Sequence, residues 1–292
     1  MTSLPDTPCY LNGEFTPLRD AKISVLDRGF IFGDGVYEVV PVYGGHPLRL
    51  AQHLARLDRS LAELRIANPL APAQWHAVIA RLLMAAPAAD QLVYIQITRG
   101  VALRDHAMTT GIAPTVFAMA QPMKPVPAGL RARGAACVSA DDFRWQKGHI
   151  KSTSLLGAVL ARQISVDADA TETVLFRDGW LTEASSSNVW VVRGDEVIGT
   201  PKGPHVLEGI RYGLIEELCE EAGLRFALRP VARQGVFAAD ELLLSSATKE
   251  VLAVTQLDGQ PIGKGVPGPV YERLYAAYQR AKVRSAASEE RP

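Results

Sequence analysis

The sequence has few of the residues that build disulfide frameworks or metal clusters. It contains 3 cysteines, Cys9, Cys137 and Cys219, and they lie far apart in the chain. Their number is odd, and their spacing matches neither a disulfide scaffold nor a zinc site. The sequence therefore predicts no metal site, and cysteines used in this way are typical of a reducing compartment.

The chain also lacks a net charge and a long apolar run. Its 31 basic residues balance its 31 acidic residues, so we expect binding neither to nucleic acid nor to an anionic membrane surface. No stretch approaches the roughly 18 uncharged apolar residues of a membrane span. Residues 1–8 lack the basic start and the apolar core of a signal peptide. We expect a cytoplasmic protein.

What the chain does have is the composition of an ordinary globular protein, with 48% apolar and 21% charged residues. The chain has 292 residues, which is more than a domain with a single hydrophobic core usually contains, so two domains are expected. At residues 121–129, three prolines and a glycine stiffen and extend the chain. The expected organisation is a small N-terminal α/β domain over residues 1–120, a linker over 121–129, and a larger C-terminal α/β domain over 130–292.

Turn residues and apolar periodicity predict the elements of the first domain. Asn12-Gly13 and Gly44-Gly45 are typical of tight β-hairpins, whose central residues need positive φ. Leucines recur from Leu50 to Leu64 at helical spacing and predict an amphipathic helix. A further helix is predicted over 72–84, and strands over 91–98 and 114–120.

The second domain mixes predicted strands and helices, which indicates an α/β or α+β fold. The strands are predicted at 130–138, 173–176, 188–192, 241–244 and 251–257. The helices are predicted at 154–166, 209–222 and 268–282. The predicted fold class of the whole chain is thus a two-domain α/β (α+β) protein.

Lys151 stands at the start of an apolar segment and is the most informative residue of the chain. Ile150 precedes it and Leu155-Leu-Gly-Ala-Val-Leu160 follows, so we expect a half-buried amine. Desolvation disfavours the ammonium form and lets such a lysine attack a carbonyl to form a Schiff base. A lone lysine is, however, most often a surface residue.

Glu183 lies in the segment Thr182-Glu-Ala-Ser-Ser-Ser-Asn188. A carboxylate of this kind is what a pyridoxal ring needs at its nitrogen. The following serines and Asn188 could aim hydroxyl and N–H groups into a cleft. The alternative is a solvated turn followed by a polar loop.

Two segments rich in glycine or hydroxyl groups are able to hold a phosphate group. Leu207-Glu-Gly-Ile-Arg-Tyr-Gly213 opens a predicted helix, whose N-terminal N–H groups attract an anion. Leu244-Ser-Ser-Ala-Thr-Lys-Glu250 joins two predicted strands and offers hydroxyl and amide donors. Each is also compatible with an ordinary loop. Arg56 on the first-domain helix could add positive charge.

Two further segments are candidates for substrate contact. Arg104 and His106 lie two residues apart, so their side chains would point the same way in an extended loop. The planar fork of arginine suits a carboxylate, although an exposed basic loop explains the pattern equally well. Tyr37 follows a glycine-rich segment over 27–35, which indicates either close approach to a ligand or a loop that leads into a strand.

Taken in order, these motifs resemble the fold-type IV pyridoxal phosphate enzymes, which include D-amino acid aminotransferase, branched-chain aminotransferase and aminodeoxychorismate lyase. The resemblance runs from Asn12 to about Leu257. It is greatest to the D-amino acid aminotransferase branch, through the segments 27–40, 98–106, 150–160 and 182–189. The resemblance implies pyridoxal 5′-phosphate as cofactor, with Lys151 as the Schiff-base lysine and Glu183 as the partner of the pyridine nitrogen.

The resemblance also implies the rest of the site. The other residues at the cofactor are Arg56, Ile210, Arg211, Ala247 and Thr248. Those that bind the substrate α-carboxylate are Tyr37, Arg104 and His106. In this family the arginine and the histidine come from the partner subunit, which implies a homodimer with the site at domain and subunit interfaces.

Two positions depart from the family pattern. At Arg211 many relatives carry a threonine whose hydroxyl contacts the phosphate, and at Ala247 a hydroxyl residue is common. Phosphate contact there would rest on backbone N–H groups or on Thr248. Arg211 would either add charge or point away, and the sequence leaves both alternatives open.

The implied reaction is a ping-pong transamination between a D-amino acid, such as D-alanine or D-glutamate, and a 2-oxo acid. By analogy with the family, the carboxylate-binding residues favour the D-series. The alternatives with the same fold are an L-branched-chain aminotransferase, an amine transaminase and aminodeoxychorismate lyase. From another class, a non-catalytic ligand-binding relative would keep the fold.

Overall fold

The computed structural model describes residues 6–86 and 88–289, with side chains up to residue 284. The expected absence of a signal peptide depends on residues 1–8, of which residues 1–5 lie outside this part. The chain forms two compact units. The first holds the described residues of Met1–Lys124, Ile150–Leu155 and Ser285–Pro292, and the second holds Pro125–His149 and Leu156–Arg284. The division falls inside residues 121–129, and the segment that carries Lys151 belongs to the first unit.

The first unit is built on a six-stranded antiparallel sheet in the order β2-β1-β6-β5-β3-β4. Its strands are β1 (Pro8–Leu11), β2 (Glu14–Pro17), β3 (Gly35–Tyr43), β4 (His46–Pro47), β5 (Asp90–Thr98) and β6 (Thr115–Pro122). Its helices are α1 (Arg28–Phe32), α2 (Leu50–Glu63) and α3 (Pro72–Ala85).

Alternation along β3, β5 and β6 gives this sheet two different faces. One face packs under α2 and α3 and forms a core that includes Val40, Ile95, Leu57 and Trp75. The other face carries an aromatic row, in which Tyr94 lies 5.9 Å from Tyr37 and 6.3 Å from Phe117 between ring centres. Tyr37 is thus placed on the face away from the helices.

Most sequence predictions for the first unit are confirmed. Asn12 and Gly13 have φ of 49° and 100° and connect β1 to β2 in a hairpin. Helix α2 begins at Leu50, and four of its leucines are buried, as the helical spacing predicts. The predicted helix and strands over 72–84, 91–98 and 114–120 correspond to α3, β5 and β6.

The second unit contains a nine-stranded mixed sheet in the order β12-β11-β10-β13-β14-β7-β8-β9, with β15 paired to β14. Its strands are β7 (Ala135–Asp141), β8 (Glu172–Arg177), β9 (Trp180–Ala184), β10 (Asn188–Arg193), β11 (Glu196–Gly199), β12 (Arg225–Leu228), β13 (Glu241–Ser246), β14 (Glu250–Leu257) and β15 (Gln260–Pro261). Its helices are α4 (Ala128–Arg133), α5 (Leu156–Asp167), α6 (Arg211–Glu221), α7 (Arg233–Phe237) and α8 (Pro269–Glu289). No helix in the described ranges is long and apolar enough to cross a membrane.

One predicted strand of the second unit is wrong over its first half. Residues 130–138 were predicted to be extended, but α4 continues to Arg133 before β7 begins. Pro127 precedes α4, and Gly134 ends it with φ of 79°. A proline before and a glycine after a short segment favour a helix, and this signal outweighs the local apolar alternation.

Candidate active site

Lys151 is held alongside β3 in the first unit. Its carbonyl oxygen accepts the N–H of Tyr37 at 3.0 Å, and its Nζ lies 4.1 Å from the centre of the Tyr37 ring. Its own N–H reaches Ser60 Oγ of α2 at 3.3 Å. The side chain is half-buried, as the sequence predicts. Main-chain bonds to a rigid strand and helix therefore position the amine on an aromatic face.

Glu38, the next residue on β3, points to the helical face and holds Arg56. Arg56 donates through Nε and NH2 to the two carboxylate oxygens at 2.7 and 2.8 Å, and His53 Nδ1 lies 2.7 Å from Oε2. Burial alone would raise the pKa of Glu38, but Arg56 and His53 hold that pKa well below its usual range. The positive charge of Arg56 is therefore balanced within the first unit.

The loop that follows β5 is anchored by a second arginine cluster. Arg28 and Arg99 both donate through Nε to Asp34 Oδ2, at 2.7 and 2.8 Å. Burial tends to raise the pKa of Asp34, but hydrogen bonds and charge from Arg99 and Arg28 lower it. Arg28 NH1 also donates to the carbonyl of Asp105 at 2.6 Å. The middle of the loop is thereby tied to α1.

Arg104 and His106 are brought together on the ring of Phe32, at the end of α1. Arg104 Cζ lies 5.6 Å from the centre of that ring, and the His106 ring centre lies 5.4 Å from it. The prediction that the two side chains share one side of the loop is confirmed. Both are exposed, and within the part of the chain that the structure describes neither makes a hydrogen bond or ring contact with Tyr37 or Lys151.

Glu183, near the end of β9 in the second unit, is buried in a network that sequence reasoning missed. Arg144 donates through NH1 to Glu183 Oε1 at 2.6 Å, and through Nε and NH2 to Asp142 at 2.8 and 2.9 Å. Glu183 Oε2 accepts from Asn188 Nδ2 at 3.3 Å and from the N–H of Leu207 at 3.2 Å. The sequence signal for this network was the pair Asp142 and Arg144, two residues apart and just after the strand predicted at 130–138.

Arg144 is shared with Asp142, and its charge does not fully offset the effect of burial on the pKa of Glu183. Burial raises the pKa of Glu183; Arg144 opposes this rise, while the charge of Asp142 adds to it. For Asp142 the hydrogen bonds and charge of Arg144 outweigh burial and lower the pKa. Glu183 is thus a buried carboxylate that a further positive group would stabilise.

The serine run after Glu183 is directed to another buried carboxylate, Glu172. Glu172 accepts from the hydroxyls of all three serines, including Ser186 Oγ at 2.7 Å and Ser187 Oγ at 3.0 Å. Lys249 Nζ approaches the same carboxylate at 3.4 Å. The expectation that these hydroxyls donate into a cleft is therefore wrong, because their hydrogen bonds are accepted by Glu172 of β8.

The two candidate phosphate segments meet in the second unit. Helix α6 begins at Arg211, and its N-cap residue, Ile210, provides no side-chain cap. Arg211 Nε donates to the carbonyl of Ser246 at 3.2 Å. Gly209 is required here, since a Cβ would lie 2.2 Å from Asn188 Oδ1. Of the two alternatives for Arg211, the structure shows a side chain that extends towards the turn over 246–249, which contains Ala247 and Thr248.

Comparison with known proteins gives the family. Residues 35–257 match the model of amino-transferase class IV. The chain is 36% identical over 276 residues to a D-alanine aminotransferase of Bacillus licheniformis, across 94% of this chain and 97% of that protein. It is 32% identical to a D-alanine aminotransferase of Staphylococcus haemolyticus, across 94% and 97%.

A solved structure shows the same fold. The branched-chain amino acid aminotransferase of Escherichia coli has a TM-score of 0.88 and 20% identity, and the likeness covers 94% of this chain and 94% of that chain. At this identity the likeness is evidence of fold rather than of substrate. The family model and the sequence relatives identify the chain as a member of the class IV aminotransferases.

Proposed function

We propose that this protein is a pyridoxal phosphate-dependent transaminase that moves an amino group between a D-amino acid and a 2-oxo acid by a ping-pong mechanism. The observation that carries the reaction is the half-buried amine of Lys151, held by backbone bonds against Tyr37. The D-series is supported by relatives at 36% and 32% identity that are D-alanine aminotransferases.

Taken within each unit by itself, the described side chains have the chemistry that pyridoxal 5′-phosphate requires. When bound, this cofactor supplies an aldehyde and an electron-withdrawing ring. Lys151 would hold it through the amine, and Glu183 would face the protonated ring nitrogen, which supplies the positive charge that this buried carboxylate lacks. The uncapped N-terminus of α6 and the turn at Thr248 would bind the phosphate.

In the reaction, Lys151 moves a proton. Its Nζ would remove the proton from the substrate α-carbon and deliver it to the aldehyde-derived carbon of the cofactor, and the second half-reaction would move a proton in the opposite direction. Ser60 and Tyr37 fix the backbone of Lys151, so that only the side chain has to move. Glu183 would keep the ring nitrogen protonated, and Arg104 and His106 would bind the substrate carboxylate.

We infer that the working form is a homodimer in which the partner subunit supplies Arg104 and His106. Both are exposed and lack a hydrogen bond or ring contact to Lys151 or Tyr37 in the described part of the chain. The neighbouring Leu103 is 81% exposed. The test mixes two inactive variants, Arg104→Ala and Lys151→Ala, after partial unfolding. Recovery of about a quarter of the activity expected for native dimers supports the proposal, and no recovery contradicts it.

We also propose a cytoplasmic location. Cys9, Cys137 and Cys219 are free and buried, as is usual for proteins of a reducing compartment. Fractionation of cells that produce the protein tests this, and recovery of the protein outside the cytoplasm would contradict it.

The substrate proposal is tested by a single half-reaction. The purified protein is given D-alanine, D-glutamate or L-leucine, and the absorbance of the lysine-bound cofactor is followed. We expect bleaching by the D-amino acids. Bleaching by L-leucine alone would instead indicate an L-branched-chain aminotransferase.

The enzyme class is tested separately by borohydride reduction and peptide mapping. A pyridoxyl group is expected on Lys151, with Lys147→Ala as the control that keeps it. The absence of any such adduct would leave only a non-catalytic binding protein.

A further inference from the structure

Arg211 differs from the other deeply buried arginines of the described chain. Arg28, Arg56, Arg99 and Arg211 are each at least nine-tenths buried. The first three are paired with a carboxylate, Asp34 or Glu38. Arg211 has no carboxylate partner within the described residues, and its NH1 is buried without a hydrogen-bond acceptor.

A buried guanidinium in this state is costly. Arg211 donates a hydrogen bond through Nε to the carbonyl of Ser246, but a neutral carbonyl does not balance a full positive charge. Its Cζ lies 5.5 Å from the centre of the buried Tyr278 ring, which adds a weak attraction. Burying a charge is unfavourable unless an opposite charge and hydrogen bonds accompany it. The environment of Arg211 is therefore incomplete without an anion.

The backbone around Arg211 favours the same kind of ligand. Arg211 is the first residue of α6, a helix of 11 residues whose N-cap has no side-chain hydrogen bond. The N–H groups and the dipole at such a terminus attract negative charge. The turn reached by Arg211 adds the hydroxyls of Ser246 and Thr248, which lie 3.5 Å apart. An anion with several oxygen acceptors matches this set of donors.

We propose that Arg211 supplies the positive charge that binds the phosphate monoester of the cofactor. The proposal rests on the proposed function and deepens it. Arg56, the other candidate, is already balanced by Glu38. Ala247 offers no hydroxyl, so the neutral donors of this turn are the side chains of Ser246 and Thr248, and Arg211 adds the charge.

The experiment measures cofactor binding rather than turnover. The protein is stripped of cofactor, and its affinities for pyridoxal 5′-phosphate and for pyridoxal are measured by absorbance titration. The variants are Arg211→Met, which removes the charge, Arg211→Lys, which keeps it, and Arg211→Thr, which puts a neutral hydroxyl in its place. Arg225→Met, at an exposed position of β12, is the matched control.

We expect Arg211→Met to weaken pyridoxal 5′-phosphate about 30-fold or more and to change pyridoxal affinity less than about threefold. Arg211→Lys and Arg211→Thr should retain more affinity than Arg211→Met. Equal losses for both compounds would overturn the proposal, since they would mark a structural role. Unchanged phosphate-dependent affinity in Arg211→Met would also overturn it.

Inorganic phosphate separates this proposal from the proposed function. It should raise the melting temperature of the apoprotein, with a smaller rise in Arg211→Met. If wild-type protein binds no pyridoxal 5′-phosphate, the proposed function fails, whereas an Arg211-dependent response to inorganic phosphate would still support the anion site. Equal responses in both proteins would overturn the role of Arg211 even if the function holds.

Discussion

Glu38 in the first unit and Glu183 in the second are both buried and both bound to arginine, yet their pKa values shift in opposite directions. Burial favours the protonated form of each. The pKa of Glu38 is nevertheless lowered, while that of Glu183 is raised. Depth of burial therefore does not decide the outcome.

The basic groups that contact each carboxylate account for the difference. At Glu38, Arg56 and His53 face one carboxylate. At Glu183, the ion-pair partner is Arg144, which also binds Asp142, while Arg177 approaches Asp142 alone at 3.5 Å. The ion pair of Glu38 with Arg56 stabilises the first unit. Glu183, whose charge is less fully compensated, is suited to a positively charged group of a ligand. Arg211 is the opposite case, a buried positive charge that is suited to a negatively charged group.

The largest effect that tests this comparison is expected from Glu38→Gln. Arg56 would be left buried without its charge partner, and the free energy of unfolding of the apoprotein should fall by about 3 to 5 kcal/mol. Urea denaturation measures this. Glu14→Gln, at an exposed position of β2, is the control and should change little. A loss below about 1 kcal/mol would mean that the pair is no stronger than a surface pair.

Glu183→Gln should affect activity more than stability, in contrast to Glu38→Gln. We expect kcat to fall by about 10² to 10³, the size seen when one preorganised electrostatic contact at a reacting group is removed. Stability should change less than in Glu38→Gln, because Arg144 keeps Asp142 as a partner. Steady-state kinetics and urea denaturation of the same sample decide the matter. A stability loss equal to that of Glu38→Gln would show that both carboxylates are structural.

Phe32→Leu extends the comparison from buried groups to the exposed side chains of Arg104 and His106. The ring contacts Arg104 and His106, so its loss should release both and raise KM for the amino acid about threefold to tenfold, with kcat nearly unchanged. Phe15→Leu is a matched control, because it removes a ring contacted by Arg81 at 3.9 Å in the same unit. A fall in kcat without a change in KM would refute this positioning role.

The smallest effect is expected in the pH dependence of apoprotein stability. Because the pKa of Glu38 is lowered in the folded state, its contribution is complete above the ordinary value of 4.5 and is lost as pH falls below it. Glu183 has a raised pKa, so its contribution appears as pH falls through the folded value and is absent at higher pH. Urea denaturation of wild type, Glu38→Gln and Glu183→Gln from pH 3 to 8 should show opposite differences from wild type.

Local patterns predicted much of the fold. The hairpin at Asn12-Gly13 and helix α2 depend on turn chemistry and on spacing within a few residues, and both are confirmed. Short elements were missed, among them β9, which carries Glu183, and α4 was predicted as a strand. Elements of four to six residues contain too few apolar repeats to distinguish a helix from a strand.

The candidate site was predicted unevenly. Lys151 beside Tyr37 and the pairing of Arg104 with His106 agree with what their segments indicate. Arg144 and Asp142 were missed, and the hydroxyls of the serine run were assigned to the wrong task. The roles of these residues at the cofactor and substrate stay predictions until the variants are measured.

The sequence by itself determined the family and predicted the reactive amine, because the motifs that carry them are contiguous stretches in a recognisable order. Only the tertiary structure decided which charges are balanced. The partners of Glu38, Glu183 and Arg211 lie 18, 39 and 35 residues away along the chain. Such pairs form when strands and helices pack, and the sign of a buried group's pKa shift depends on how many opposite charges that packing brings to it.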